Sequence, residues 1–202
     1  MNFLAHQYLS FGVPTIMVGN FIADTVGGPA HLDDKTGVRL GIEIHRAIDE
    51  FTDTHPLVLE SRKLLYPYFS KYAAVVQDIF YDHFLAVEWS AYSDVPLREF
   101  AARVYLTLGR HSEWFNERAQ RTYFYMTTQN WLENYATEAG IDRSLKGMAH
   151  RAKFHSNMEN SLPALRENRE SMRSHFSAFF PQLKQAVEEE FGSRASRLKT
   201  RE

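Results

Sequence analysis

Apolar residues recur at helical spacing along nearly the whole of this 202-residue chain, and this pattern restricts the fold more than any other feature. Strand-like alternation bounded by turn residues is hard to find. Prolines and glycines divide the pattern into separate segments, because proline suits the first turn of a helix and glycine suits its end. The sequence therefore predicts an all-α fold, a single-domain multi-helix bundle.

The predicted helices follow these breaks. They cover approximately residues 2–9, 14–28, 34–53, 56–65, 70–91, 96–109, 115–137, 141–153, 157–180 and 182–191. No linker rich in glycine, serine or proline divides the chain, so residues 1–192 are predicted to form one domain. Residues 193–202 are polar and basic without periodicity, and we expect this tail to fray.

Composition excludes several classes of function. The formal net charge of −2 gives no overall basic field of the kind that nucleic-acid-binding proteins use. The absence of cysteine excludes disulfides, zinc–thiolate sites, iron–sulfur clusters and a thiol nucleophile. A metal would have to be bound by His, Asp, Glu and water, which suits manganese, magnesium or iron.

The sequence also bears on localisation. The N-terminus lacks a basic region followed by an apolar one, and no apolar run approaches the length of a membrane span. We therefore expect a cytoplasmic enzyme or binding protein with no membrane and no nucleic-acid partner. The sequence leaves the oligomeric state open.

The N-terminal half carries imidazoles and carboxylates on helices that are otherwise apolar. Four segments contribute His6; Asn20 and Asp24; His45, Asp49 and Asp53; and Asp78, Asp82 and His83. Residues four apart share a helix face, and faces from several helices can converge inside a bundle. Burying unpaired charge is expensive, so the recurrence predicts a buried acidic–imidazole site for one or two divalent cations.

Each of these residues also has a purely structural explanation. His6 alone would more often be a core histidine than a ligand. Asp53 could cap the fourth predicted helix, and Asp24 could pair with Arg39 or Arg46. The recurrence of such groups on several helices favours a site over these separate explanations.

Four motifs in one order give the chain a family resemblance. MNFLAH, GNFIADTVGG, GIEIHRAIDEFTDTHP and DIFYDHFLAVEW resemble the acyl carrier protein phosphodiesterase family, which is likened to the HD-type metal phosphohydrolases. The resemblance implies an all-helical, HD-domain-like, manganese-dependent hydrolase. Its substrate would be the phosphodiester joining 4′-phosphopantetheine to a serine of acyl carrier protein, an acidic protein partner in lipid metabolism.

The residue pattern and the resemblance together suggest roles for individual residues. The expected metal ligands are His45, Asp49, Asp82, His83 and Asp24. Asp24 would be a ligand or the base that orients water, and His6 is a weaker catalytic candidate. Arg46 would either contact the phosphate or form a surface salt bridge with an acid. The expected substrate-binding residues are Asn20, Asp53, His55, Asp78 and Arg151. Exposed basic residues that could contact the carrier protein are Arg143, Lys146, His150, Arg151 and Lys153, with Arg62 and Lys63 as a second patch.

Three other functions remain open on the sequence. The first is an HD-like phosphohydrolase that acts on a nucleotide or another small phosphodiester. The second is a non-catalytic helical module that binds an acidic protein, with its buried acids held in salt bridges. The third is a ferritin-like redox site, although the required Glu-x-x-His pairs are not visible on the candidate helices.

Overall fold

The computed structural model describes residues 1–26 and 37–200 and confirms the all-α class. Its helices are α1 (Phe3–Tyr8), α2 (Pro14–Ile22), α3 (Val38–Thr54), α4 (Pro56–Phe69), α5 (Ala73–Val87), α6 (Leu97–Arg110), α7 (Glu117–Thr128), α8 (Trp131–Asn134), α9 (Glu138–Arg151) and α10 (Ser161–Lys199). Within the described residues there is no strand, and the helices share one apolar core. No helix in these two ranges combines the length and apolar character that a membrane span requires.

Local sequence signals explain several helix starts. Pro14 and Pro56 occupy the first turns of α2 and α4, as predicted from their fixed φ. The side chains of Asn116 and Thr137 accept hydrogen bonds from backbone N–H groups in the first turns of α7 and α9.

The second helix was predicted to reach residue 28, but α2 ends at Ile22, where the 3-10 turn Ala23–Thr25 follows. The third was predicted to start at residue 34, but α3 begins at Val38, after Gly37 at positive φ. Residues 27–36 lie outside the described residues.

Two helices extend further than the sequence suggested. Helix α4 continues past Pro67 to Phe69, and α10 passes Pro181 without a break. Residues 193–199, which we expected to fray, are the last part of α10. One face of that helix packs on the core through Phe191, Ala195 and Leu198. Burial therefore stabilises a segment whose polar, basic composition is typical of an unstructured tail.

The crossing of α2 and α3 brings the candidate site residues together. Gly19 of α2 faces the carbonyl oxygen of Val38, and Gly41 of α3 faces the carbonyl oxygen of Ile16. A Cβ at either glycine would overlap the backbone of the other helix, so only glycine permits this close approach. The contact places the polar face of α2 against the polar face of α3.

Asp82 of α5 fixes the start of α1. Its buried carboxylate accepts hydrogen bonds from the backbone N–H groups of Leu4 at 2.7 Å, Asn2 at 3.2 Å and Ala5 at 3.4 Å. These are the N–H groups of a helix start that lack partners within the helix. Burial raises the pKa of Asp82 to about 7, although the backbone donors act in the opposite direction. The bonds hold α1, and therefore His6, against the bundle.

We predict that Asp82→Ala destabilises the protein because it leaves these N–H groups without an acceptor. The expected loss is about 2 kcal/mol in the free energy of unfolding, measured by urea denaturation. Asp82→Asn keeps an acceptor oxygen and should lose less. Wild-type stability in Asp82→Ala would contradict the capping role.

Candidate metal centre

Side chains from three helices and one turn meet at the mouth of a cavity. The Nε2 atom of His6 lies 3.2 Å from Asp49 Oδ1, and the Nε2 atom of His45 lies 3.1 Å from Asp49 Oδ2. Asp24, in the 3-10 turn Ala23–Thr25 that follows α2, places its Oδ1 3.2 Å from His45 Nε2. The two rings lie side by side, with centroids 4.2 Å apart, and both Nε2 atoms are directed at the carboxylate of Asp49.

The buried amide of Asn20 determines how both imidazoles are oriented. Its Nδ2 donates to the carbonyl oxygen of His6 at 2.9 Å and to Ser10 Oγ at 3.0 Å, which fixes the amide orientation. Its Oδ1 therefore accepts from His6 Nδ1 at 2.9 Å and from His45 Nδ1 at 3.0 Å. This network assigns the hydrogen to Nδ1 in both rings, so both Nε2 atoms are directed at the carboxylates.

Burial and the contacts between imidazoles and carboxylates shift the pKa values of the cluster. Burial lowers the pKa of His6, which favours the neutral imidazole that a metal requires. Burial also acts to lower the pKa of His45, but hydrogen bonds to Asp24 and Asp49 raise it to about 9. Burial alone would raise the pKa of Asp49, yet its close contacts with the imidazoles of His45 and His6 hold that pKa well below its usual range. The acids thus favour a positive charge between them and the rings.

The chemistry of the surroundings fits a hydrated divalent cation. His6, His45 and Asp49 each offer one ligand atom, and these atoms lie within 4.8 Å of one another. The adjoining cavity has a volume of about 480 Å³. Two buried atoms that belong to its lining residues, Gln7 Oε1 and Thr52 Oγ1, have no hydrogen-bond partner within the described residues. Buried polar atoms are normally satisfied by protein or water, so these two atoms suit water molecules in this cavity.

Several predicted site residues do lie at this cavity. His6, Asn20, Asp24, His45 and Asp49 form the cluster itself, and Asp53 and Asp78 line the cavity beside it. These two acids have partners of their own. Asp53 Oδ1 accepts from Arg62 at 2.7 Å, and Asp78 Oδ1 accepts from the terminal ammonium of Met1 at 2.9 Å.

Other predicted residues are placed elsewhere. Asp82 caps α1, and His83 donates from Nδ1 to the carbonyl oxygen of Tyr135 at 2.7 Å. The structure does not bring either to the cluster, so we remove both from the proposed ligand set. Arg46 is exposed and does not line the cavity, and His55 caps α4 by accepting from the backbone N–H of Leu57. The remaining candidate, Arg151, lines a second cavity.

Sequence reasoning missed Arg118, an arginine that lines the cavity from the first turn of α7. Its Nη1 donates to the carbonyl oxygen of Asp24 at 3.4 Å. The same end of α7 is tied to the site by Asn116, whose Nδ2 donates to the carbonyl oxygen of Thr25 at 2.7 Å. No local motif marks Arg118, because its proximity to Asp24 arises only from folding.

Comparisons with known proteins identify the family of the chain. A sequence model of the family described as Acyl carrier protein phosphodiesterase matches residues 1–183. The chain is 32% identical over 191 residues to the acyl carrier protein phosphodiesterase of Photorhabdus laumondii, covering 93% of this chain and 96% of that protein. It is 30% identical to the Yersinia enterocolitica protein of the same name, with 91% and 95% covered. No solved structure matches the chain significantly, so the HD-like architecture stays a prediction.

We predict that Asn20→Leu, which has similar volume but no polar atoms, weakens binding of a divalent cation. Both imidazoles lose the acceptor that fixes their orientation, and such supporting groups typically contribute 10–100-fold in metal affinity, so a loss of about this size is expected. Calorimetric titration with Mn²⁺ measures the change. Ser10→Ala removes only one acceptor of the Asn20 amide and should cost less. Equal Mn²⁺ affinity in Asn20→Leu and wild type would contradict this role.

Proposed function

Because the chain belongs to the acyl carrier protein phosphodiesterase family, we propose that it hydrolyses the phosphodiester that joins 4′-phosphopantetheine to a serine of holo acyl carrier protein. The products are the apo carrier protein and 4′-phosphopantetheine. The observation that carries this proposal is the convergence of His6, His45 and Asp49 on one point at the wall of a polar cavity. Manganese is the proposed ion, with magnesium or iron as alternatives.

The proposed ligands are His6 Nε2, His45 Nε2 and the carboxylate of Asp49, with Asp24 at the open side. A divalent cation held there would supply positive charge to the phosphate and would lower the pKa of a water molecule. The side chain of Asp24 is 72% exposed, so it can reach both the cluster and water. The hydrogen bond from His45 lowers the pKa of Asp24, and a weak base of this kind orients water rather than removing its proton.

Arg118 is the proposed phosphate-binding residue. A phosphodiester is an anion, and the carboxylates of Asp24, Asp49, Asp53 and Asp78 that line the cavity would repel it. The guanidinium of Arg118 faces the same cavity from α7. Its planar set of N–H donors matches the non-bridging oxygens of a phosphate, so it offsets that repulsion where the substrate enters.

The exposed basic residues near the end of α9 suit an acidic carrier protein. Arg143, His150 and Arg151 are exposed around the second cavity. Lys146 pairs with Asp142 at 2.7 Å. In the other patch, Arg62 donates to Asp53 and to Gln77, so its guanidinium is committed to the protein itself. We therefore propose that the carrier protein contacts the α9 patch, where binding would weaken with added salt.

We predict that the purified enzyme with Mn²⁺ converts holo acyl carrier protein to the apo form. Mass spectrometry of the carrier protein measures loss of the prosthetic group directly. EDTA should stop the conversion and added Mn²⁺ should restore it, because the bound ion would both offset the carboxylates of the cluster and lower the pKa of the attacking water. Turnover of a nucleotide or nitrophenyl diester without turnover of the carrier protein would favour a small-molecule phosphohydrolase instead. A protein that neither binds a stoichiometric metal nor turns over any of these substrates would indicate a binding module.

We predict that Arg118→Gln lowers kcat/KM for the carrier substrate by about 100-fold, the typical effect of losing a donor to transition-state charge. Arg118→Lys keeps the charge but not the planar donors, and should lose less. Arg121→Gln is the matched control, because Arg121 is exposed on the same helix and does not line the cavity. Equal rates for Arg118→Gln and Arg121→Gln would exclude the phosphate contact.

A further inference from the structure

A second cavity of about 350 Å³ adjoins the cavity of the metal centre. Ten residues line it: Tyr125, Gln129, Trp131, Tyr135, Arg143, Ser144, Gly147, Met148, His150 and Arg151. None of the lining residues is acidic. This volume lies at the lower end of the range of roughly 300–1,000 Å³ that is usual for small-molecule sites.

Three contacts make the two cavities neighbours. Met148 lines both of them. The ring of Phe3, at the first cavity, lies 6.0 Å from the ring of Trp131, at the second. Tyr135 of the second cavity donates from its hydroxyl to Oδ1 of Asn2, which lines the first, at 3.3 Å. A ligand with its phosphate at the metal centre can therefore extend along Met148 into the second cavity.

The lining separates into a neutral interior and a cationic rim. Tyr135 is buried, and Trp131, Gly147 and Met148 are partly buried, whereas Arg143, His150 and Arg151 are exposed. Rings and a thioether offer apolar contact, and the side chain of Ser144 adds a hydroxyl. That hydroxyl donates to the carbonyl oxygen of Gly140 at 3.1 Å, so its lone pairs face outward as acceptors for an N–H group.

We propose that this second cavity binds the pantetheine arm of the substrate while the phosphate lies at the metal centre. The inference rests on the proposed function. The arm is a neutral chain that contains two amide groups and ends in a thiol, which suits aromatic walls with a few hydrogen-bonding groups. The cationic rim stays outside the arm, where the acidic surface of the carrier protein would approach.

The neutral interior argues against a free anion as the occupant. An anion would be bound where cations are desolvated, but the arginines at this cavity are exposed and solvated. An acidic helix of the partner protein would contact only the rim, and it would leave Trp131 and Met148 without a ligand. The arm uses both the apolar walls and the continuity with the metal centre.

Gly147 gives a way to fill this cavity without touching the metal centre. It lies on α9, lines the second cavity only, and a Cβ there would meet just the Arg151 guanidinium at 3.6 Å, an ordinary contact. A larger side chain can therefore be added without a clash at its base. Replacing a helix glycine also removes its helix-propensity penalty, so folding should be preserved.

The experiment compares wild type, Gly147→Phe and Ala139→Phe. Ala139 is exposed near the start of the same helix and lines neither cavity, so its variant controls for an added phenyl ring. Calorimetry with free pantetheine, which lacks the phosphate, measures binding to the arm site. We expect at least a tenfold weaker affinity in Gly147→Phe and less than a twofold change in Ala139→Phe.

Turnover supplies a second measurement. Gly147→Phe should lose at least tenfold in kcat/KM for holo carrier protein. It should keep the wild-type rate for bis(4-nitrophenyl) phosphate, which has no pantetheine arm. Its Mn²⁺ affinity should also match that of wild type. Gly147→Leu replaces the phenylalanine variant if melting shows that the latter does not fold.

The outcomes separate this inference from the proposed function. If wild type cleaves the carrier protein but does not bind pantetheine, or binds it as tightly after Gly147→Phe, the arm site is refuted and the function stands. Equal losses for both phosphodiesters would also refute the arm site. If wild type does not cleave the carrier protein at all, the proposed function itself fails.

Discussion

The hydrogen bonds of one buried amide organise the candidate site. Asn20 uses its N–H groups on the carbonyl oxygen of His6 and on Ser10, so only its oxygen is available to the two imidazoles. Each ring must then present its other nitrogen to the carboxylate of Asp49. The hydrogen bonds of Asn20, an uncharged residue, thus orient both imidazoles so that their free nitrogens can bind a cation. We had expected Asn20 to contact substrate, and its burial behind the rings favours a positioning role instead.

The two acids of α5 are explained by partners outside that network. Asp82 accepts from the start of α1, and Asp78 accepts from the terminal ammonium of Met1. These contacts fix the N-terminal segment against α5 and so place His6 opposite α3. The acids of α5 therefore support the site from behind α1, which accounts for carboxylates in an apolar helix without making them ligands.

The sequence predicted the parts of the site that depend on helical spacing. His45 and Asp49 are four residues apart on α3, so their shared face can be read from the chain. Asn20 and Asp24 have the same spacing, but α2 ends at Ile22, and Asp24 reaches His45 from the 3-10 turn that follows. The same spacing gave the helical class and most helix positions. It did not predict the end of α4 or the continuation of α10 to Lys199, because burial against the core stabilises segments that local composition disfavours.

Tertiary structure alone decided which faces meet. Spacing placed His83 and His6 equally on apolar helices, but the fold turns His83 toward Tyr135 and His6 toward Asp49. It also brought Arg118 to the cavity, although Arg118 follows the end of α3 by more than sixty residues in the sequence. Sequence determines the face of a helix on which a side chain lies, since that follows from covalent geometry. The neighbour of that face depends on how all the helices pack, and the chemistry of the site depends on that neighbour.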